Sequence, residues 1–398
     1  MRAGRWILLG LPLFLALSVI VPTLDGVRFA GAADEGHYLV YASTVAKQGP
    51  SAFPDLVEWY RSDPGNLFFP TPVRLTTIGL GAAAVRILGT GFESLQLLSL
   101  SAFLVLLILL FFGLRGLFGE RTAFWTSLLV SVSPLHLAMA RRALSDSLVA
   151  ALSVLCLLAF ARAWFAGSAP RRQWLVIAAL FTLTFLAKEG MWLLIPLVLV
   201  PIGWFALRGG RPFPWVPFLS TSVLPIGAAV VLMAIASGGW EPLWETISGN
   251  LRSPASNPYA LKYGQGPWFR YVLDFLLLSP LPTLLYVGWV GYLAGARVRN
   301  AHLWWWAVIP ILFLVLSIPI TKNIRYALLL ETPIRLGAVL LLQRLLGDRD
   351  GNLKGTVGMA TVFLLLVWLD LSAFYRLFVM REIYDPMSVE LFTGWGLG

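Results

Sequence analysis

Long apolar runs, separated by short polar ones, constrain this chain more than any other feature. Trp6 to Leu24, Glu93 to Phe118 and Trp215 to Ala236 are each long enough to cross a bilayer, which takes roughly 17–25 apolar residues in a helix. Of 398 residues, 58% are hydrophobic and 13% charged, about half the charged share of a soluble domain. Leu/Val/Ala/Phe runs, many aromatics and scattered Gly and Pro fit α-helical spans rather than an outer-membrane barrel. The sequence therefore predicts an all-α polytopic membrane protein. The single cysteine, Cys156, excludes disulfides and Cys-based metal sites. The net charge of +10 is spread without a Lys/Arg block or a basic soluble domain, so nucleic acid is not an expected partner.

Further spans are expected near Thr122–Ala140, Leu144–Phe165, Trp174–Ala187, Met191–Leu207, Trp268–Leu293, Leu303–Ile320, Ile324–Leu346 and Val357–Phe378. The total is about eleven, in a single transmembrane domain over 1–398 with no internal repeat. Arg2 and Arg5 precede the first span and place the N-terminus in the cytoplasm by the positive-inside rule. The first span exceeds a signal-peptide core of about 7–15 residues, so a retained anchor is expected despite the small-residue patch Ala30-Gly31-Ala32-Ala33. The first outer loop, 25–92, includes Leu75 to Leu88, which is short and carries Arg86. It reads as an interfacial helix. The second outer loop, 237–267, holds Trp240, Trp244, Tyr259 and Tyr263. On this topology the inside loops hold Arg115/Arg121, Arg162/Arg171/Arg172, Arg208/Arg211, Arg297/Arg299 and Arg344/Arg349/Lys354.

The cations that break this ladder are informative. Arg141/Arg142, Lys188 and Lys322/Arg325 fall at expected outer ends of spans, where they suit an anionic headgroup or phosphate. The same side carries Asp34-Glu35-Gly36-His37-Tyr38, which opens a short helix. Asp34 there serves either as a general base on an acceptor hydroxyl or as a helix cap. In Arg141-Arg142-Ala143-Leu144-Ser145-Asp146, Asp146 caps the next helix while the arginines snorkel to lipid, or the arginines hold phosphate while Asp146 orients a partner. Lys188-Glu189 reads first as a local ion pair, and Lys322 with Arg325, followed by Tyr326, as a phosphate clamp one turn apart. Glu331 and Arg335, four apart in an apolar run, neutralise each other. His37, His136 and His302 are too dispersed for zinc; only His136 is kept, as a candidate near the outer surface.

These pieces in this order resemble the GT-C superfamily of polyprenyl-phosphate-dependent glycosyltransferases. The nearest branch holds protein O-mannosyltransferases, aminoarabinose lipid A transferases and rhizobial core transferases. The resemblance covers nearly the whole chain. It is carried by Asp34-Glu35, Phe69-Pro70-Thr71-Pro72, Leu88-Gly89, Leu117-Phe118-Gly119, Arg141 to Asp146, Ala187-Lys188-Glu189-Gly190, Pro267-Trp268, and Arg325-Tyr326 with Pro333. It implies that Asp34 is the catalytic base, with Glu35 in support. Arg325, Lys322, Arg141, Arg142, Arg74 and Lys188 are then donor-phosphate ligands, and Asp146, Tyr326, His37 and Tyr38 supporting residues. Relatives often place Lys or His directly before the proline of the loop segment. Thr71 stands there in this chain, with Arg74 as its substitute.

The implied reaction moves a sugar from a polyprenyl-phosphate donor to an acceptor hydroxyl on a lipid, glycan or protein, with inversion. It takes place at the outer face of the plasma (inner) membrane. No cofactor is required, and room remains for a divalent metal on Asp34 and Asp146. The rival class is a transporter or flippase of lipid-linked sugars. Transporters tend to show paired repeats and midplane polar groups, whereas this chain keeps its acid pair at a membrane surface.

Overall fold

The apolar runs fold as helices. The computed structural model describes residues 3–24, 34–165, 169–207, 212–258, 260–264, 267–317, 322–347 and 352–383, with no strand among them. In chain order the helices are α1 (Ala3–Ile20), α2 (Asp34–Gln48), α3 (Phe53–Ser62), α4 (Leu75–Leu88), α5 (Phe92–Phe118) and α6 (Glu120–Ser131). Next come α7 (Pro134–Ala140), α8 (Asp146–Phe165), α9 (Arg171–Ala187), α10 (Leu194–Leu207), α11 (Trp215–Phe218) and α12 (Leu224–Ala236). The remainder are α13 (Trp240–Arg252), α14 (Arg270–Leu278), α15 (Pro280–Gly295), α16 (Ala301–Leu316), α17 (Glu331–Leu346) and α18 (Leu353–Phe374). The Ala30–Ala33 patch, Arg208, Arg211, Tyr259, Ile320, Arg349 and the tail from 384 lie outside the described residues.

Six described segments are long and apolar enough to cross a membrane: Phe92–Phe118, Asp146–Phe165, Glu189–Leu207, Trp215–Ala236, Ile324–Leu346 and Leu353–Met380. The α6–α7 pair makes a seventh, bent by 61°, so the expected count of about eleven is not confirmed. Two expected spans are in fact broken: Thr122–Ala140 is α6 plus α7, and Trp268–Leu293 is α14 plus α15. Each break falls at a serine followed by proline, Ser133-Pro134 and Ser279-Pro280. Proline lacks the N–H and disfavours helical backbone in the residue before it. Ser279 sits accordingly at φ −142°, ψ 71°.

The chain divides into two compact units. The first gathers Met1–Gly26, Leu104–Met139 and Gly266–Gly398. Its core packs Leu128 and Leu129 of α6 against Val339 and Leu342 of α17 and Met359, Phe363 and Leu366 of α18. Gly337 lets α17 meet α15 closely, because a Cβ there would stand 2.4 Å from the Trp289 ring; small residues at such crossings let helix backbones approach in membranes. Arg335 is fully buried and donates to Glu331 Oε2 (2.5 Å), Asp370 Oδ2 (2.5 Å), the Leu129 carbonyl (2.9 Å) and Ser279 Oγ (2.9 Å). The expected Glu331–Arg335 pair is present. Asp370 was not expected, although an acid inside an apolar span is itself a signal.

The second unit gathers Val27–Phe103 and Ala140–Gln265. Tyr41 and Val45 of α2, Phe53 and Leu56 of α3, and Ile78 and Ala82 of α4 form one of its cores. Asp34 and Glu35 in the first turn of α2 suit the positive end of the helix dipole. The helix expected over Leu75 to Leu88 appears as α4, closed by Gly89 at φ +101°, a left-handed value that glycine adopts at little cost. The segment 237–267, expected as a loop, is not all loop. It contains α13, bound to α3 through Arg61 and Glu245, with Trp240 and Trp244 exposed.

Candidate active site

The second unit carries most of the residues singled out above, and ion pairs between distant segments hold them. α2 presents Asp34, half-buried, then Glu35, His37 and Tyr38. Glu35 Oε1 accepts from Arg142 Nε at 2.8 Å, with only 6% and 10% of the two side chains exposed. Tyr38 lies 3.0 Å from Ser145 Oγ, hydroxyl to hydroxyl, and also accepts from Arg74 Nη1. Arg74 Nε donates to Glu189 Oε2 at 2.7 Å, and Thr71 Oγ1 donates to Glu189 Oε1 at 2.9 Å. Lys188 Nζ donates to Asp146 Oδ1 at 2.6 Å, both side chains buried. Because Ser145-Asp146 and Lys188-Glu189 are sequence neighbours, these contacts close a ring: Tyr38, Ser145-Asp146, Lys188-Glu189, Arg74 and back to Tyr38.

Local structure explains the ring. Residues 141–145 form the turn before α8, fixed to α5 by Gln96 Nε2 on the Arg141 carbonyl (3.0 Å) and Ser99 Oγ on the Leu144 carbonyl (2.7 Å). The expected Lys188–Glu189 pair is not made. Lys188 has extended backbone, φ −162°, ψ 130°, which sends successive side chains to opposite sides, so each takes a different partner. Arg141 and Arg142 do not snorkel to solvent; they are 2% and 8% exposed. Asp146 heads α8 as expected, but its carboxylate serves Lys188. Thr71 provides no charge and instead steadies Glu189.

Burial pushes the Tyr38 hydroxyl up to about 12, opposed by Arg74 and aided by Asp34, so it stays protonated at physiological pH. Glu189 and Tyr38 hold the Arg74 guanidinium further above its ordinary value against the cost of burial. His37 stacks on Phe69 with ring centroids 4.1 Å apart and stands 5.9 Å from Trp59. Beside Tyr38 and Ser145 lies a small depression lined mostly by apolar residues that include Ile78, Leu95, Leu98 and Leu148.

The first unit holds the other expected site residues. Lys322 is buried, and burial followed by Arg270 lowers its pKa. Arg325 lies over the Tyr326 ring at 5.6 Å, and Asn323 caps this turn by accepting from the Arg325 N–H at 3.1 Å. Arg270 and Asp274, a buried i,i+4 pair at 3.9 Å, were not anticipated. His136 is fully buried within the protein. Among the described residues no three His, Cys, Asp or Glu gather as metal ligands. Of the two carboxylates with room for a metal, Asp34 and Asp146, Asp146 already accepts from Lys188.

Residues 80–240 match the family model of dolichyl-phosphate-mannose-protein mannosyltransferases. No curated protein matches the chain. Among solved structures, ArnT from Cupriavidus metallidurans in the apo state is 17% identical with a TM-score of 0.58, covering 94% of this chain and 76% of that one. The same protein bound to undecaprenyl phosphate gives 18% and 0.56, with 94% and 76% covered. The Archaeoglobus fulgidus oligosaccharyltransferase in complex with Zn and sulfate gives 13% and 0.61, over 98% of this chain. This chain spans only 57% of that enzyme. The chain has the GT-C fold. The fold and the matched segment agree with the class expected from the sequence, membrane glycosyltransferases. Ser145, Thr71 and Glu189 join the site through partners that the sequence did not assign them.

Proposed function

We propose that this chain transfers a sugar from a polyprenyl-phosphate carrier to an acceptor hydroxyl, with Asp34 as general base. One observation carries the reading: an acid pair opens α2, and Tyr38, one turn on, ties that helix into a ring with Arg74 and Lys188. The acceptor oxygen attacks the anomeric carbon as the bond from that carbon to the phosphate oxygen breaks. Asp34 takes the hydroxyl proton, and the carrier leaves as polyprenyl phosphate with one more negative charge. Attack opposite the leaving phosphate inverts the anomeric centre, the geometry used by inverting glycosidases with water.

The leaving phosphate needs positive charge, a contribution often worth several kcal/mol. Arg142 and Lys188 are already engaged by Glu35 and Asp146, and these pairs fix the scaffold. Arg74 is the leading phosphate ligand of the second unit. Lys322 and Arg325 are proposed as an anion-binding pair in the first unit. Glu35 supports Asp34 by holding the first turn of α2 to Arg142. No step is routed through a metal. The site is proposed to lie on the outer side of the inner membrane, with the N-terminus in the cytoplasm.

The test is transfer by the purified full chain from radiolabelled polyprenyl-phosphate sugars to an envelope extract, with the anomeric configuration of the product read by NMR. Inverted product supports the reading. Retained configuration contradicts single displacement, and vesicle translocation of the lipid-linked sugar without transfer favours the flippase class.

A further inference from the structure

Arg74 is an unusual residue for its position. It is the N-cap of α4 and makes no capping bond, in a place where Ser, Thr, Asp or Asn is favoured. A cation there also faces the positive end of the helix dipole. Helix stability does not account for an arginine at this point, so its partners must. Glu189 holds Nε and Tyr38 holds Nη1, while Nη2 has no protein partner among the described residues. Arg74 is 13% exposed at its side chain, enough for a ligand to reach it. Glu189 is itself held from the other side, because Thr71 donates to its second oxygen at 2.9 Å.

We infer that Glu189, steadied by Thr71, is the positioning residue for Arg74, fixing the guanidinium so that Nη2 is presented to a non-bridging oxygen of the donor phosphate. The inference rests on the phosphate role given to Arg74 above. A guanidinium is a planar fork whose direction matters as much as its charge. With Nε on a carboxylate and Nη1 on a phenol, the plane has no freedom left, and the remaining amino group points one way. Without Glu189 the charge of Arg74 would remain, but its direction would be lost. Glu189 acts through Arg74 and does not touch the reacting atoms.

The probe is a pair of lipids, undecaprenyl phosphate and undecaprenol, which share the chain and differ in the phosphate. Binding of each to the detergent-solubilised full chain is measured for wild type, Arg74→Ala, Glu189→Ala, Glu189→Gln and Thr71→Val. Thermal unfolding of every variant is followed in parallel. Loss of a charge-assisted contact is expected to weaken undecaprenyl phosphate binding by about 10- to 100-fold in Arg74→Ala and Glu189→Ala. Thr71→Val should show a smaller loss in the same direction, and undecaprenol binding should be unchanged in all variants. Thr71→Val removes one hydroxyl and tests the idea even where Glu189→Ala fails to fold. If Arg74→Ala binds both lipids like wild type, the phosphate role of Arg74 falls. If Arg74→Ala loses phosphate preference while Glu189→Ala, Glu189→Gln and Thr71→Val keep it, the positioning inference alone is overturned. A variant that loses both lipids equally in step with its melting temperature shows only a structural role and also counts against it.

Discussion

Glu35 separates a structural acid from a catalytic one, and removing it has a calculable effect. Its partner Arg142 lies at 2.8 Å with both side chains at most 10% exposed. Opposite charges with centres about 4 Å apart attract by roughly 4 kcal/mol at an effective dielectric near 20. Desolvation offsets part of this, while deleting one partner leaves the other buried and uncompensated at about 3–5 kcal/mol. Glu35→Ala and Arg142→Ala should therefore each destabilise by about 3–5 kcal/mol. The double variant should cost less than their sum by about 0.5–3 kcal/mol, the range of directly interacting pairs. Denaturant or thermal unfolding in one detergent, run as a double-mutant cycle, measures this. Glu35→Gln, which keeps an acceptor for Arg142, should retain measurable transfer. Additive single effects, with coupling below about 0.5 kcal/mol, would refute the claim that Glu35 acts through Arg142. Transfer lost in a folded Glu35→Gln would move Glu35 into the chemistry.

Other perturbations reach different parts of the molecule. Arg335→Met strands Glu331 and Asp370 in the first unit and should destabilise by about 3–5 kcal/mol, measured by unfolding; Gly337→Ala should also destabilise by driving a methyl into the Trp289 ring. Tyr38 and Tyr60 are both pushed up to about 12, chiefly by burial. Their folded pKa lies above the usual 10, so their contribution is full below pH 10 and is lost as pH rises towards 12. It is about 2–3 kcal/mol each, and Tyr38→Phe with Tyr60→Phe should flatten the alkaline limb of a stability–pH curve. On the proposed mechanism, in which cationic side chains meet the phosphate charge, chelation with EDTA should leave transfer unchanged; loss restored by a divalent ion would contradict this.

Local signals in the chain predicted local structure well. Arg74, Leu88-Gly89 and the apolar run between them marked α4 to the residue, and Asp34 marked the start of α2. Serine–proline pairs at 133–134 and 279–280 carried the two helix breaks, but their effect was masked by continuous hydropathy on either side. Long-range pairing was not legible. Arg74 meets Glu189 across 115 residues and Arg142 meets Glu35 across 107, and no periodicity encodes such partners. Lys188 shows why neighbours mislead: an extended backbone made its adjacent acid unreachable and sent it to Asp146. Thr71, read from the resemblance as a missing cation, has a neutral task in steadying Glu189.

The central claim, that Asp34 takes the acceptor proton, is tested most directly by Asp34→Asn beside wild type. Both would be assayed with a radiolabelled polyprenyl-phosphate sugar and scored for folding and for binding of undecaprenyl phosphate. The account predicts a folded variant that binds the lipid like wild type and transfers no sugar above background. A folded Asp34→Asn that transfers at the wild-type rate would remove Asp34 from the mechanism.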